Sequence, residues 1–145
     1  MDGETGTDRA LEKKIDWRAW IARVFIGLVI AWNLQAALIF WIAPVAYAVG
    51  FELGGVPGSV AVRGFAVLFV MWNIPYLLAC WSPRRNGLSL MEAIVMQLIG
   101  VAGEYVILSS LGADHAVLRA SLVRFVLFDS TGLGLLAIAF VLTKI

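Results

Sequence analysis

At 145 residues, with 61% hydrophobic and only 14% charged side chains and a mean hydropathy of +0.90, the chain falls outside the composition of a soluble domain. A formal net charge of +1 and a pI near 7.9 leave no basic excess to neutralise phosphates, which argues against a nucleic-acid partner. The single cysteine, Cys80, has no partner for an internal disulfide.

Residues 1–19 read as a flexible and then juxtamembrane segment. Met1 to Asp8 is small and polar, whereas Arg9, Lys13, Lys14 and Arg18 interleave with Leu11, Ile15 and Trp17 as an amphipathic flank at the headgroups. The first apolar run begins only near Trp20 and is long enough to cross a bilayer, so it is read as retained rather than as a cleaved signal peptide.

Residues 20–145 read as a four-helix transmembrane domain with spans over about 20–43, 60–81, 90–111 and 117–142. Pro44 is expected to end or bend the first span, and the glycine-rich stretch from Val45 to Gly58 to form a loop. The second span carries Arg63 in its first turn and Pro75 in its interior, where a kink is expected. A short basic turn, Ser82 to Ser89, leads to the third span, with Ser89 and Glu92 at capping-box spacing. Gly112 closes that span, and the tight connection from Ala113 to Ala116 makes the last two helices antiparallel neighbours.

Basic residues sort to one side: Arg9 to Arg18 before the first span, Arg84 and Arg85 between the second and third, and Lys144 at the end. The positive-inside rule then gives an up-down bundle with N and C termini cytoplasmic, a multi-pass protein of the cell membrane. Laying Arg23–Trp41 over Arg63–Trp81 also pairs Arg23 with Arg63, Trp32-Asn33 with Trp72-Asn73, and Trp41 with Trp81. This register puts Asn33 and Asn73 near the midplane, each beside a tryptophan.

The last two spans carry Glu104, Arg124 and Asp129 inside apolar runs, where a charge costs roughly 2.5–3.5 kcal/mol. Glu104 and Arg124 are the expected ion pair. Gln97 and Glu104 are seven residues apart and share a helix face, with Gly100 between them to admit a neighbour. Asp129 lies about 140° round the helix from Arg124, so it is expected to address another neighbour, Asn33 or Asn73, with Gly132 and Gly134 allowing close packing. These six residues are the candidate ligand-binding or proton-titrating groups: Glu104, Arg124, Asp129, Gln97, Asn33 and Asn73.

No catalytic motif, paired histidine or deep lysine occurs, and His115 beside Asp114 reads as a solvated loop histidine, so no cofactor and no metal are expected. The expected function is non-enzymatic: an accessory subunit, or a binder of a lipid-like or hydrophobic ligand. The alternatives are an oligomeric proton- or ion-coupled small-molecule transporter and a membrane enzyme acting on a lipid substrate, with Glu104 and Asp129 as acid and base. The expected partners are the bilayer, a hydrophobic small molecule or lipid, and a homo-oligomer or larger membrane complex.

Overall fold

A computed structural model describes residues 16–144. The flexible segment and most of the amphipathic flank expected before Trp17 lie outside them. The described residues are helical, with no strand: α1 (Trp17–Ile42), α2 (Pro44–Ala48), α3 (Gly55–Trp81), α4 (Gly87–Ser110) and α5 (Ala116–Lys144). α1, α3, α4 and α5 are each long and apolar enough to cross a membrane. Large apolar side chains such as Leu38, Leu78 and Ile99 stay exposed on them, as expected of helices surrounded by hydrocarbon.

The helix ends follow from local chemistry. Asp16 caps α1 by accepting a hydrogen bond from the Ala19 amide at 3.2 Å. Ala43 leaves helical geometry at φ −127°, ψ 48°, and Pro44 opens α2 at a position that needs no amide hydrogen. α2 runs into a 3₁₀ turn, Val49–Phe51, closed by Glu52 in the left-handed region at φ 56°. The segment expected as a loop is therefore largely helical. α3 also starts five residues earlier than expected, at Gly55 rather than Val60, because Pro57 falls in its first turn, where proline is tolerated. Arg63 consequently stands two turns into the helix.

The expected cap at Ser89 does not form. α4 begins at Gly87, so Ser89 lies inside the helix, and Asn86 instead donates through Nδ2 to the Leu78 carbonyl at 2.6 Å, satisfying the end of α3. Arg119 does the same for α4, donating to Leu108 O at 3.2 Å and Leu111 O at 2.8 Å.

α1 packs against α3 and α5, and α4 packs against α5 and α3, which closes a ring of four helices. Its core has two apolar lobes. One gathers Ile26, Val29, Tyr76, Leu90 and Leu136; the other gathers Phe40, Ala48, Val62, Ala66 and Phe69. Between the lobes each long helix contributes buried polar groups: Asn33 from α1, Asn73 from α3, Gln97 from α4 and Asp129 from α5.

Candidate functional site

The polar layer is a directed chain of hydrogen bonds. The Tyr76 hydroxyl donates to Gln97 Oε1 at 2.5 Å, with the Ala93 carbonyl a second acceptor at 3.2 Å. Gln97 Nε2 then donates to Asp129 Oδ1 at 3.0 Å and to the Asp129 carbonyl at 3.2 Å. Gln97 thus links α3, α4 and α5, and it is the neighbour that Asp129 addresses instead of Asn33 or Asn73. The approach depends on two glycines. A Cβ on Gly132 would stand 3.1 Å from Gln97 Nε2, and one on Gly100 would stand 3.3 Å from Asp129 Oδ2. Gly134, expected to share this role, has nothing within 4 Å.

Asn33 and Asn73 are buried, at 3% and 1% exposure. Asn73 turns onto its own helix, donating through Nδ2 to Phe69 O at 2.6 Å, while its Oδ1 is buried without a partner. Neither asparagine joins the hydrogen-bonded chain through Gln97.

The expected pairing of Glu104 with Arg124 is not formed. The Glu104 carboxyl lies against that of Asp129, on the face it shares with Gln97. Glu104 Oε2 is buried without a donor, because an acceptor facing an acceptor makes no bond until a proton sits between them. Arg124 turns away from both acids. It is exposed, donating from Nε to Ala120 O at 3.3 Å and from Nη2 to Ser121 Oγ at 3.2 Å, and no carboxylate lies within ion-pair distance of it among the described residues.

Arg124 forms part of the wall of a cleft of about 410 Å³ between α1, α5 and the α2 segment. Six aromatic rings line it: Trp32, Phe40, Tyr47, Phe51, Phe125 and Phe128. They brace one another, with Trp32 and Phe128 centroids 5.6 Å apart, Phe40 and Tyr47 5.0 Å apart, and Phe51 stacked on Phe125 at 5.7 Å. Apart from the polar edges of Trp32 and Tyr47, the polar side chains are Gln35, Ser121 and Arg124.

Outside the long helices, Glu52 ties the two connections at this end together. Its Oε2 meets His115 Nδ1 at 2.6 Å, and its Oε1 accepts from the Leu118 amide at 3.2 Å in the first turn of α5. The hydrogen bond from His115, then the Leu118 amide, hold the Glu52 carboxyl below its ordinary value. The same contact, with Asp114 nearby, raises His115. His115, expected as a solvated loop histidine, is a half-exposed loop side chain that also clasps Glu52. At the opposite end Asp16 meets Arg84 at 2.7 Å, and the Ala19 amide, followed by Arg84, keeps that carboxyl low.

Tyr76, Ser121 and the aromatic cleft were not singled out from the sequence. Tyr76 stands three residues after Asn73 on the same helical face, a spacing that would have found it. The cleft as a whole left no such signal, since only its α5 wall repeats at helical spacing and the other rings come from segments far apart in the chain. No protein-family model, curated protein or solved structure matches the chain.

Proposed function

We propose that this is a multi-pass protein of the cell membrane, its long helices alternating in direction with both termini cytoplasmic, and that it binds a lipid-like ligand without catalysing a reaction. The basic residues Arg18, Arg84, Arg85 and Lys144 support that orientation. The observation that carries the ligand-binding reading is the cleft. Its volume of about 410 Å³ lies within the range of small-molecule sites, and mostly apolar walls with a few convergent polar groups suit an amphiphile. The polar layer, by contrast, is packed, with Tyr76, Gln97 and Asp129 hydrogen-bonded in series across three helices, and it serves to fix helix register within the bundle and in any larger assembly.

The test is native mass spectrometry of the protein extracted with its lipids, beside an Ala36→Trp variant that fills the cleft. A retained small amphiphile in the parent, lost in a variant that melts at an unchanged temperature, supports the role. An adduct that survives in the filled variant refutes it.

One observation favours a second reading. Two carboxyls in contact accept a proton as a pair, which is the chemistry a proton-coupled transporter uses. Infrared titration of the carboxyl C=O stretch would register it: a band that appears on acidification in the parent and is absent from Glu104→Gln supports that reading, and an unchanged band removes it.

A further inference from the structure

We infer that the cleft selects an anionic amphiphile, its carboxylate or phosphate held by the Arg124 guanidinium beside Ser121 and its hydrocarbon laid along the aromatic wall. This rests on the ligand-binding role proposed above and adds the charge of the ligand and the residue that reads it.

A guanidinium carries five N–H donors. Arg124 commits only Nε and one hydrogen on Nη2, both to neutral acceptors, and Nη1 has no acceptor among the described residues. The nearby acids are engaged elsewhere: Glu52 holds His115 and the head of α5, while Glu104 and Asp129 face each other. With the middle of α5 taken as the midplane, Arg124 lies ~9 Å from it, which puts its backbone ~6 Å inside a hydrocarbon layer ~30 Å thick. A cation at that depth is costly until an anion neutralises it, and a charge-assisted, bidentate contact to an acid group is the interaction its free edge is shaped for. Phe125 and Phe128, one and four residues on, continue the wall from that edge toward Trp32, which supplies the apolar track behind the head. A neutral ligand would fill the rings and leave the guanidinium unmatched.

Trp32 lies in the cleft and reports occupancy. The purified protein in neutral maltoside micelles is titrated with dibromostearate, with its methyl ester and with a brominated-chain phosphatidylglycerol, and quenching is followed in the parent and in Trp32→Phe, Arg124→Gln and Arg124→Lys. The expected result is saturable quenching that Trp32→Phe abolishes. Arg124→Gln should weaken the acids by about tenfold or more, Arg124→Lys, which keeps the charge and loses the two-pronged contact, should fall between the parent and Arg124→Gln, and the ester should not respond to either. Saturation by dibromostearate identifies a free acid as the ligand; saturation by the phosphatidylglycerol alone identifies a membrane phosphate. If ester and acids bind alike and Arg124→Gln changes neither, the anionic assignment is overturned while the cleft remains a ligand site. If none of the three quenches a Trp32-dependent component, the ligand-binding role itself falls.

Discussion

Replacing Gln97 by leucine tests whether the polar layer binds the helices together. The substitution removes the Nε2 bonds to Asp129 Oδ1 at 3.0 Å and to Asp129 O at 3.2 Å, and the Oε1 acceptor of Tyr76. Tyr76 loses little, because the Ala93 carbonyl already stands 3.2 Å from its hydroxyl. Asp129, 5% exposed, has no comparable substitute. A buried acceptor left without its donor costs ~1–3 kcal/mol, whereas hydrogen bonds between membrane helices average ~0.6 kcal/mol because the separated helices find other partners. Leucine gains nothing by burial against lipid, so a net loss of ~1–2 kcal/mol is expected. Removing Asp129 as well takes away the stranded group. Gln97→Leu with Asp129→Leu should therefore lose ~1 kcal/mol less than the sum of the single losses. The measurement is reversible unfolding in mixed detergent and dodecyl sulfate micelles, followed by far-ultraviolet circular dichroism. Additivity within ~0.3–0.5 kcal/mol, or a Gln97→Leu protein as stable as the parent, would refute the linkage.

Three further outcomes follow from the same geometry. Glu104→Gln and Arg124→Leu should be additive within ~0.5 kcal/mol in the same unfolding assay, since the two side chains share no contact; a double variant markedly more stable than the sum would restore the ion pair. Gly132→Ala should destabilise, as the added methyl meets Gln97 Nε2 at 3.1 Å and Val29 Cγ1 at 3.6 Å. Gly134→Ala, with nothing within 4 Å, should be neutral or stabilising by up to ~1 kcal/mol, and equal effects at the two sites would count against close approach at Gly132. The clasp should be strongest in mild acid. His115 is raised, so its contribution is complete below the ordinary imidazole value of 6.5 and fades as pH climbs through the higher folded value. Glu52 is lowered, so its contribution is complete above 4.5 and fades as pH falls through the lower folded value. Hydrogen exchange at the Leu118 amide, corrected for intrinsic rate, should be slowest between those limits, and Glu52→Gln should flatten the profile; a flat profile in the parent would remove the clasp.

The spans were legible because twenty or more apolar residues have one economical fate in a bilayer, and charge-free runs mark them directly. Their ends were less so. Ser89 has the residue type and spacing of a cap, but Asn86, three residues earlier, reaches the open end of α3 and the helix starts at Gly87. The glycines and proline between Val45 and Gly58 suggest a loop by composition, yet Pro44 and Pro57 each occupy a first turn, where proline is accommodated because no amide hydrogen is needed. Within the site, the seven-residue spacing of Gln97 and Glu104 correctly set both on one face, and that face meets Asp129. The partner of Arg124 was not legible. Opposite charges at similar depth suggest a pair, but depth says nothing about azimuth, and azimuth depends on how α5 is rotated between α1 and α4.

That rotation explains how one helix carries two unlike environments. Arg124 and Asp129 are about 140° apart round α5. Asp129 turns into the ring toward Gln97 and Glu104, and Gly132 one turn on lets α4 come close enough to donate. Ser121, Arg124, Phe125 and Phe128 recur at helical spacing on another side, which faces α1 and the α2 segment across the cleft. Rotating α5 to bring Arg124 onto Glu104 would carry Asp129 away from Gln97 and expose a carboxylate to hydrocarbon, trading one unmatched charge for another. The arrangement adopted sets the two acids against each other inside the ring, with the Gln97 amide donating to Asp129, and leaves the arginine on the cleft wall, where no carboxylate lies within ion-pair distance among the described residues.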